Sequence, residues 1–396
     1  MHRLEKLFLE HLAPTSPEPL GLTVSRARGA YIFDLKNKRY IDLIAGISVG
    51  VAGHSHPRIL RALRKQMKRH LHVMVYGEFV QRPQVKLAER LLRYTEAPID
   101  CVYFVNSGAE ATELAMKLAK KATGRPHFVA FRGGYHGSTQ GALSLMAEEK
   151  WRFPFSPLLP GIAYLPFNEI EALKTIDQST AAVFVEVIQA ETGASPARPE
   201  FLKALRDRCD ATGALLVVDE IQTGLGRTGK FWSHSWYGLR PDIILSAKAL
   251  GGGLPLGAVL ASRHLFKILA NHPPLGHITT FGGNPLSCAA ALGMLEVLEK
   301  ENLCAQAIEK EKIIRETLVH PQVAEVRGRG LLLALVLRQK GAAPRLARQC
   351  LEAGVMTDWF LFSEDALRIA PPLNIPEKVL QKALNILLKV IEKEAK

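Results

Sequence analysis

Cysteine is scarce in this chain. The five that occur, Cys101, Cys209, Cys288, Cys304 and Cys350, are odd in number and widely spaced, and no C-x-x-C pair is present. That argues against a disulfide framework or a zinc ribbon and makes the reduced cytoplasm the expected compartment. Long apolar runs are also missing: none reaches the ~18 residues that a membrane-crossing helix needs. The opening segment, residues 1–10, carries Arg3, Glu5, Lys6 and Glu10 and no apolar stretch of signal-peptide length. Negative charge is in short supply, with 38 Asp and Glu against 51 Lys and Arg and a net charge of +13. Such a balance raises the question of nucleic acid. The one dense basic run, Arg58, Arg61, Arg64, Lys65, Lys68 and Arg69, has no aromatic residue between its charges. It shares its segment with Leu60, Leu63, Met67 and Leu71 at helical spacing, so it reads as an amphipathic helix with a solvated basic face.

What the chain does have is the composition of an enzyme with a sizeable core, 47% hydrophobic and 22% charged over 396 residues. No low-complexity segment or internal repeat interrupts it. Residues 13–29 are rich in Pro and Gly and read as an irregular arm. Tyr31–Asp34 and Tyr40–Leu43 suggest a hairpin. Beyond residue 57, strand-like runs (Cys101–Val105, His127–Phe131, Ala181–Val187, Ala214–Asp219, Asp242–Ser246) alternate with helical patterns such as Ala109–Ala122 and Pro199–Thr212. Alternation of this kind predicts a largely parallel sheet covered by helices on both faces. A long helical region, 284–318, precedes a strand–helix–strand tail (Leu331–Leu337, Ala347–Gly354, Leu367–Ile369), which predicts a smaller α+β lobe.

In open parallel sheets ligands bind beyond the carboxyl ends of the strands, so the polar residues after each apolar run are the first candidates. Asp219 ends a run of five apolar residues; it could cap the next helix or pair with a ligand cation. Lys248 lies 29 residues further on, flanked by Ala247 and Ala249 and followed by Gly251–Gly253. Poor solvation would lower its pKa, as a Schiff-base lysine requires. Asn106–Ser107–Gly108–Ala109 leads from a strand into a helix, where backbone N–H groups either hold phosphate or are simply capped. Tyr135 sits among glycines at another strand end, as a stacking plate for a ring or as ordinary packing.

Three motifs look functional and are not. Gly224–Gly229 matches G-x-G-x-x-G but does not open directly after a strand or lead into a helix. Gly224–Lys230 fits G-x-x-x-x-G-K, yet Phe231 stands where a P-loop has its magnesium-binding hydroxyl. His54 and His56 have no acidic cluster to complete a metal site, and no metal is expected.

A phosphate cradle, an aromatic plate, an acid for a ring nitrogen and a desolvated lysine are together what pyridoxal 5′-phosphate (PLP) needs. With Asn106–Glu110, Asp219–Gly229, Ser246–Gly253, His277–Pro285 and Leu367–Leu373 in order, the chain resembles the class III aminotransferases from Tyr31 to about Leu388. The acetylornithine, ornithine and 4-aminobutyrate aminotransferases belong to that family. The resemblance implies the α/β fold of PLP enzymes of fold type I (aspartate aminotransferase-like). It divides the chain into an N-terminal arm with part of the small domain (1–56), a large PLP-binding domain (57–283), and an interdomain helix with the C-terminal small domain (284–396). It assigns Lys248 as the Schiff-base lysine and catalytic base, and Asp219 as the partner of the pyridine nitrogen. Gln222 would bond the ring hydroxyl, Ser107, Gly108 and Ala109 would hold the phosphate, and Tyr135 would stack on the ring. Thr280, with Thr279 beside it, would reach the neighbouring subunit's cofactor, implying a homodimer with shared sites. Arg368 would bind the α-carboxylate of a 2-oxo acid such as 2-oxoglutarate, and Glu191 would pair with it when an ω-amine donor is bound. Ser138 stands where many amino-acid-specific relatives have arginine, which leaves the donor open among acetylornithine, ornithine, a diamine or another ω-amine. Decarboxylation, racemisation and intramolecular amino transfer are alternatives within the family, and a basic nucleic-acid-binding protein is a remote one outside it.

Overall fold

A computed structural model describes residues 3–394. Its centre is a seven-stranded sheet in the order Cys101–Val105, Gly257–Ala261, Ile243–Ser246, Leu215–Asp219, Thr180–Val185, His127–Phe131, Ile162–Leu165. All the strands run one way except Gly257–Ala261, which pairs antiparallel with both neighbours. Thr180–Val185 is buried along its whole length, as expected where helices cover both faces. Side chains alternate between two cores. Phe128, Ala130, Ala182 and Phe184 pack with Ala111, Leu114, Ala115 and Leu118 of helix Gly108–Thr123. Val129, Phe131, Val183 and Val185 pack with Phe201, Leu202, Leu205 and Cys209 of helix Pro199–Thr212 on the other face. Both helices end at a left-handed glycine, Gly124 and Gly213, the usual stop for a helix without a Cβ penalty.

The tail forms an antiparallel sheet in the order Val323–Arg329, Leu332–Leu337, Ser363–Ile369, Trp359–Phe360. Helices Ala343–Glu352 and Glu377–Glu394 contribute Leu346, Ala347, Leu380, Leu384 and Leu387 to its core. The expected hairpin forms from Tyr31–Asp34 and Arg39–Asp42, closed by Asp34 Oδ1, which accepts from the N–H groups of Lys36 and Lys38. Its second strand pairs in parallel with Val355–Met356, so the N-terminal segment joins the C-terminal lobe.

Several sequence expectations change in detail. The arm at 13–29 is not irregular throughout, since Val24–Arg28 is a strand that pairs with the hairpin; ahead of it, Arg3–His11 is helical. Region 284–318 is two helices, Pro285–Lys300 and Leu303–Thr317, broken at Asn302, whose φ is +48°. The antiparallel strand Gly257–Ala261 and the C-terminal helix were not anticipated. The basic run does form the helix Pro57–Met67, with Arg61, Arg64 and Lys65 exposed. Among the described residues no helix is long and apolar enough to cross a membrane.

Candidate active site

The parallel strands end along one edge of the sheet, and the residues that follow them converge. Asn106–Ala109, Tyr135–Ser138, Glu186, Asp219, Gln222 and Lys248 all line one cavity of about 560 Å³. Val49, Ile221 and Leu254–Leu256 complete its walls, and Glu191 lies on its side.

Helix Gly108–Thr123 presents its N-terminus to this cavity. Ser107 is its N-cap and accepts the Glu110 N–H through Oγ at 3.1 Å. Glu110 reaches back to the N–H of Asn106 at 2.8 Å, a reciprocal cap. The Gly108 and Ala109 N–H groups lie in the first turn, where an α-helix offers no acceptor of its own. Together with the helix dipole they favour an anion. A Cβ on Gly108 would come within 2.8 Å of Ile221 Cδ1, so a larger residue would push the helix start away from the acid loop.

Asp219 is held on both oxygens. Oδ1 accepts from the N–H of Ile221 at 2.9 Å, and Oδ2 lies 2.8 Å from Nδ1 of the fully buried His136. Burial disfavours the imidazolium, but the hydrogen bond and charge of Asp219 outweigh it, and the His136 pKa rises. Behind them, Glu186 accepts from the N–H groups of Tyr135 (2.9 Å) and Ala190 (3.1 Å). Burial, reinforced by the charge of Asp219 and opposed by His136, pushes Glu186 up to about 7. Neither His136 nor Glu186 was assigned a role from sequence. Glu186 nevertheless directly follows strand Thr180–Val185 at its carboxyl end, the position where a polar residue is most informative.

Lys248 projects from the loop between Ser246 and Gly257. Its flanking alanines are buried, and its backbone has φ +46°, unusual for a side chain with a Cβ. Nζ donates to Gln222 Oε1 at 2.6 Å. Burial lowers its pKa, more than the nearby carboxylates Glu191 and Asp219 restore. Gln222 Nε2 is buried and meets no protein acceptor. Of the glycines after Lys248, Gly252 serves packing: with φ +58°, its Cβ would lie 2.8 Å from the carbonyl oxygen of Ala290. Gly253 alone of the three lines the cavity.

Arg368 is 2% exposed and forms a two-bonded pair with Glu191, Nη1 to Oε1 at 3.1 Å and Nη2 to Oε2 at 3.0 Å. Its Nε donates to Asp358 at 2.9 Å. Burial resists ionisation of Glu191, but the guanidinium prevails and its pKa is lowered. For Asp358 burial wins over the same guanidinium, and its pKa rises to about 6. Arg368 is thus set behind Glu191 and does not itself line the cavity.

Other candidates fall at the edge. Tyr135 lines the cavity, its Oη 3.0 Å from Ser138 Oγ, and Ser138 is exposed. Thr279 Oγ1 accepts from Asn106 Nδ2 at 3.0 Å and from the N–H of Gly282 at 3.1 Å, which braces the segment leading into helix Gly108–Thr123. Thr280 is exposed and outside this cavity. His54 bonds Asp42 at 2.7 Å, while His56 caps helix Pro57–Met67 and meets Glu301. No group of side chains suited to a metal ion occurs among the described residues.

Residues 12–391 match the family model Aminotransferase class-III. The chain is a class III aminotransferase. It is 40% identical over 369 residues to the acetylornithine aminotransferase of Archaeoglobus fulgidus, covering 93% of this chain and 95% of that one. It is 37% identical to the LysW-aminoadipate semialdehyde/glutamate semialdehyde transaminase of Sulfolobus acidocaldarius, over 93% and 94% of the two chains. Among solved structures, the ornithine aminotransferase of Toxoplasma gondii ME49 superposes with a TM-score of 0.91 at 30% identity, covering 99% of this chain and 95% of that one. The fold is therefore that of PLP enzymes of fold type I, and the cofactor of this transaminase is PLP; another Toxoplasma gondii ornithine aminotransferase structure shows partial occupancy of PLP at its active site.

Proposed function

We propose that this aminotransferase moves the terminal amine of an acetylornithine- or ornithine-like donor to a 2-oxo acid, with 2-oxoglutarate as acceptor. The cavity's donors fit the cofactor. The Gly108–Ala109 turn suits its phosphate, the unpartnered Gln222 Nε2 and Lys248 face its ring, and the Asp219 carboxylate suits a protonated ring nitrogen. When bound, PLP supplies the electron sink that acidifies the proton next to the donor amine. The chain's residues do the rest. Lys248, whose pKa burial lowers, would attach the cofactor and then carry the proton as general base. Asp219 keeps the ring nitrogen charged, and His136, held by the same carboxylate, fixes its direction. Tyr135 covers the ring.

The observation that carries the two-substrate reading is the Glu191–Arg368 pair. Closed, it presents a neutralised wall to an ω-amine donor. Opened, it exposes a guanidinium to the α-carboxylate of the oxo acid. A site that alternates between two such ligands favours transamination over racemisation or intramolecular amino transfer. Thr280, exposed and outside the lining of its own cavity, is assigned to the cofactor phosphate of a second copy, in a homodimer with shared sites. The domain division 1–56, 57–283 and 284–396 follows the pairing of the N-terminal hairpin with Val355–Met356. Five unpaired cysteines suit a cytoplasmic enzyme.

The test is glutamate formation from acetylornithine or ornithine with 2-oxoglutarate. Glutamate should accumulate only when both substrates are present. Conversion of the donor without an oxo acid would instead mark decarboxylation, racemisation or intramolecular amino transfer.

A further inference from the structure

The turn Gly224–Lys230 lies outside the lining of the cavity, yet it contains a fully buried cation. Arg227 is 0% exposed. Its Nη1 donates to the carbonyls of Leu331 at 2.9 Å and Pro371 at 2.6 Å, and its own carbonyl accepts the N–H of Leu331 at 2.9 Å. Nε and Nη2 meet no protein acceptor. Asp42, the acid whose field it feels, is occupied by the N–H groups of Ile44 and Ala45 and by His54. Burial accordingly lowers the Arg227 pKa to about 9. A buried cation without a carboxylate partner is a poor way to stabilise a fold, since a well-packed apolar side chain usually does better. Its placement calls for another explanation.

The carbonyls it grips supply one. Pro371 lies three residues beyond Arg368. Leu331 leads into strand Leu332–Leu337, which pairs with the Arg368 strand in the register Ala334↔Arg368. On the other side, the turn begins two residues after Gln222, the partner of Lys248. The approach is close: a Cβ on Gly330 would lie 2.6 Å from the carbonyl carbon of Thr228 and 2.7 Å from the carbonyl oxygen of Arg227.

We propose that Arg227 is a positioning residue that fixes Arg368 relative to the Gln222–Lys248 pair, and so places the carboxylate of the 2-oxo acid at the right distance from the reacting carbon. This rests on reading Arg368 as the anchor for that carboxylate. Arg227→Lys keeps the charge but loses the planar Nη1 group whose two N–H bonds, fixed in direction, reach both carbonyls. Gly330→Ala opens the same joint from the opposite side. Both are compared with Arg368→Lys by calorimetric binding of the non-reactive dicarboxylate glutarate to holoenzyme, and by separate kinetics of the two half-reactions.

In Arg227→Lys and Gly330→Ala, glutarate binding should weaken and the KM for the oxo acid should rise by ~10–100-fold, the scale of a small misplacement. The donor half-reaction and the cofactor's absorbance should stay near wild type. If Arg368→Lys keeps full glutarate affinity, the anchor reading fails and this inference falls with it. If Arg368→Lys loses affinity while both joint variants keep it, the role of Arg227 alone is overturned. Equal losses in both half-reactions, or failure of both joint variants to fold, would make the joint purely structural and also overturn the inference.

Discussion

The Arg368 guanidinium meets the Glu191 carboxylate end-on through Nη1 and Nη2, at 3.1 and 3.0 Å, while Asp358 holds its Nε–H. Glu191 is tied in turn by the N–H of Leu361 at 3.0 Å. The pair is thus preformed by the fold, and under the proposed function an oxo acid would have to displace Glu191 to reach the guanidinium. Asp358 would keep that guanidinium aimed during the exchange.

Arg368→Ala should weaken the oxo-acid half-reaction far more than the ω-amine half-reaction. Hydrogen bonds to charged groups are worth about 1.5–3 kcal/mol each, so a loss of at least about tenfold in kcat/KM for 2-oxoglutarate is expected. Glu191→Ala should act in the other direction, freeing Arg368 for α-amino acids such as glutamate and reducing the preference for ω-amines. Stopped-flow measurement of each half-reaction checks both. Equal losses in the two halves would count against an exchange of partners.

Lys248→Ala should fold and bind cofactor non-covalently, with turnover reduced by at least the ~10²–10⁴-fold attributed to a positioned general base. Asp219→Asn removes the charge that favours a protonated ring nitrogen and leaves His136 facing a neutral amide. Proton abstraction in a single turnover should slow much more than cofactor attachment. An unchanged abstraction rate would make Asp219 only the cap of the Ile221 N–H.

The Glu186–His136–Asp219 cluster predicts a pH dependence. Glu186 is raised from 4.5 to about 7 in the folded chain, so its contribution is fully present below about 4.5 and is lost as pH rises through about 7. His136 is also raised from its ordinary 6.5, so its contribution is likewise lost as pH rises through its folded value. The thermal midpoint of cofactor-free enzyme should therefore fall between pH 5 and 7, more steeply than in Glu186→Gln. Identical slopes would show that Glu186 ionises freely.

Ser138 offers the cavity mouth one hydroxyl, already bonded to Tyr135. A neutral hydrogen bond contributes about 0.5–1.5 kcal/mol and a charged one about 1.5–3 kcal/mol. Ser138→Arg should therefore raise kcat/KM for acetylornithine and ornithine by about tenfold relative to putrescine. A wild type that strongly prefers acetylornithine, with no gain in the variant, would show that position 138 does not choose the donor.

Much of this site was legible because parallel sheets place their chemistry at strand ends, so Asp219 and Lys248 could be read from the apolar runs before them. Glu186 carries the same signal, directly after strand Thr180–Val185. Strand Val24–Arg28 carries no apolar alternation to read, because four of its five side chains are exposed and it is held to the hairpin by its backbone and by Arg26, which bonds Asn37. Nothing local in Gly257–Ala261 marks its direction, since it is as apolar and buried as its parallel neighbours. Arg227 looked like part of a loop motif because its partners, Leu331 and Pro371, lie 104 and 144 residues away.

The reversal of Gly257–Ala261 has a mechanical result. Because this strand returns beside Ile243–Ser246, the loop bearing Lys248 is clamped at both ends by the same hydrogen-bonded ladder, with Ser246 opposite Ala258. The amine has no independent hinge. Amide exchange at the loop's two roots should keep pace with the central sheet, and heat should free the lysine only when that sheet melts.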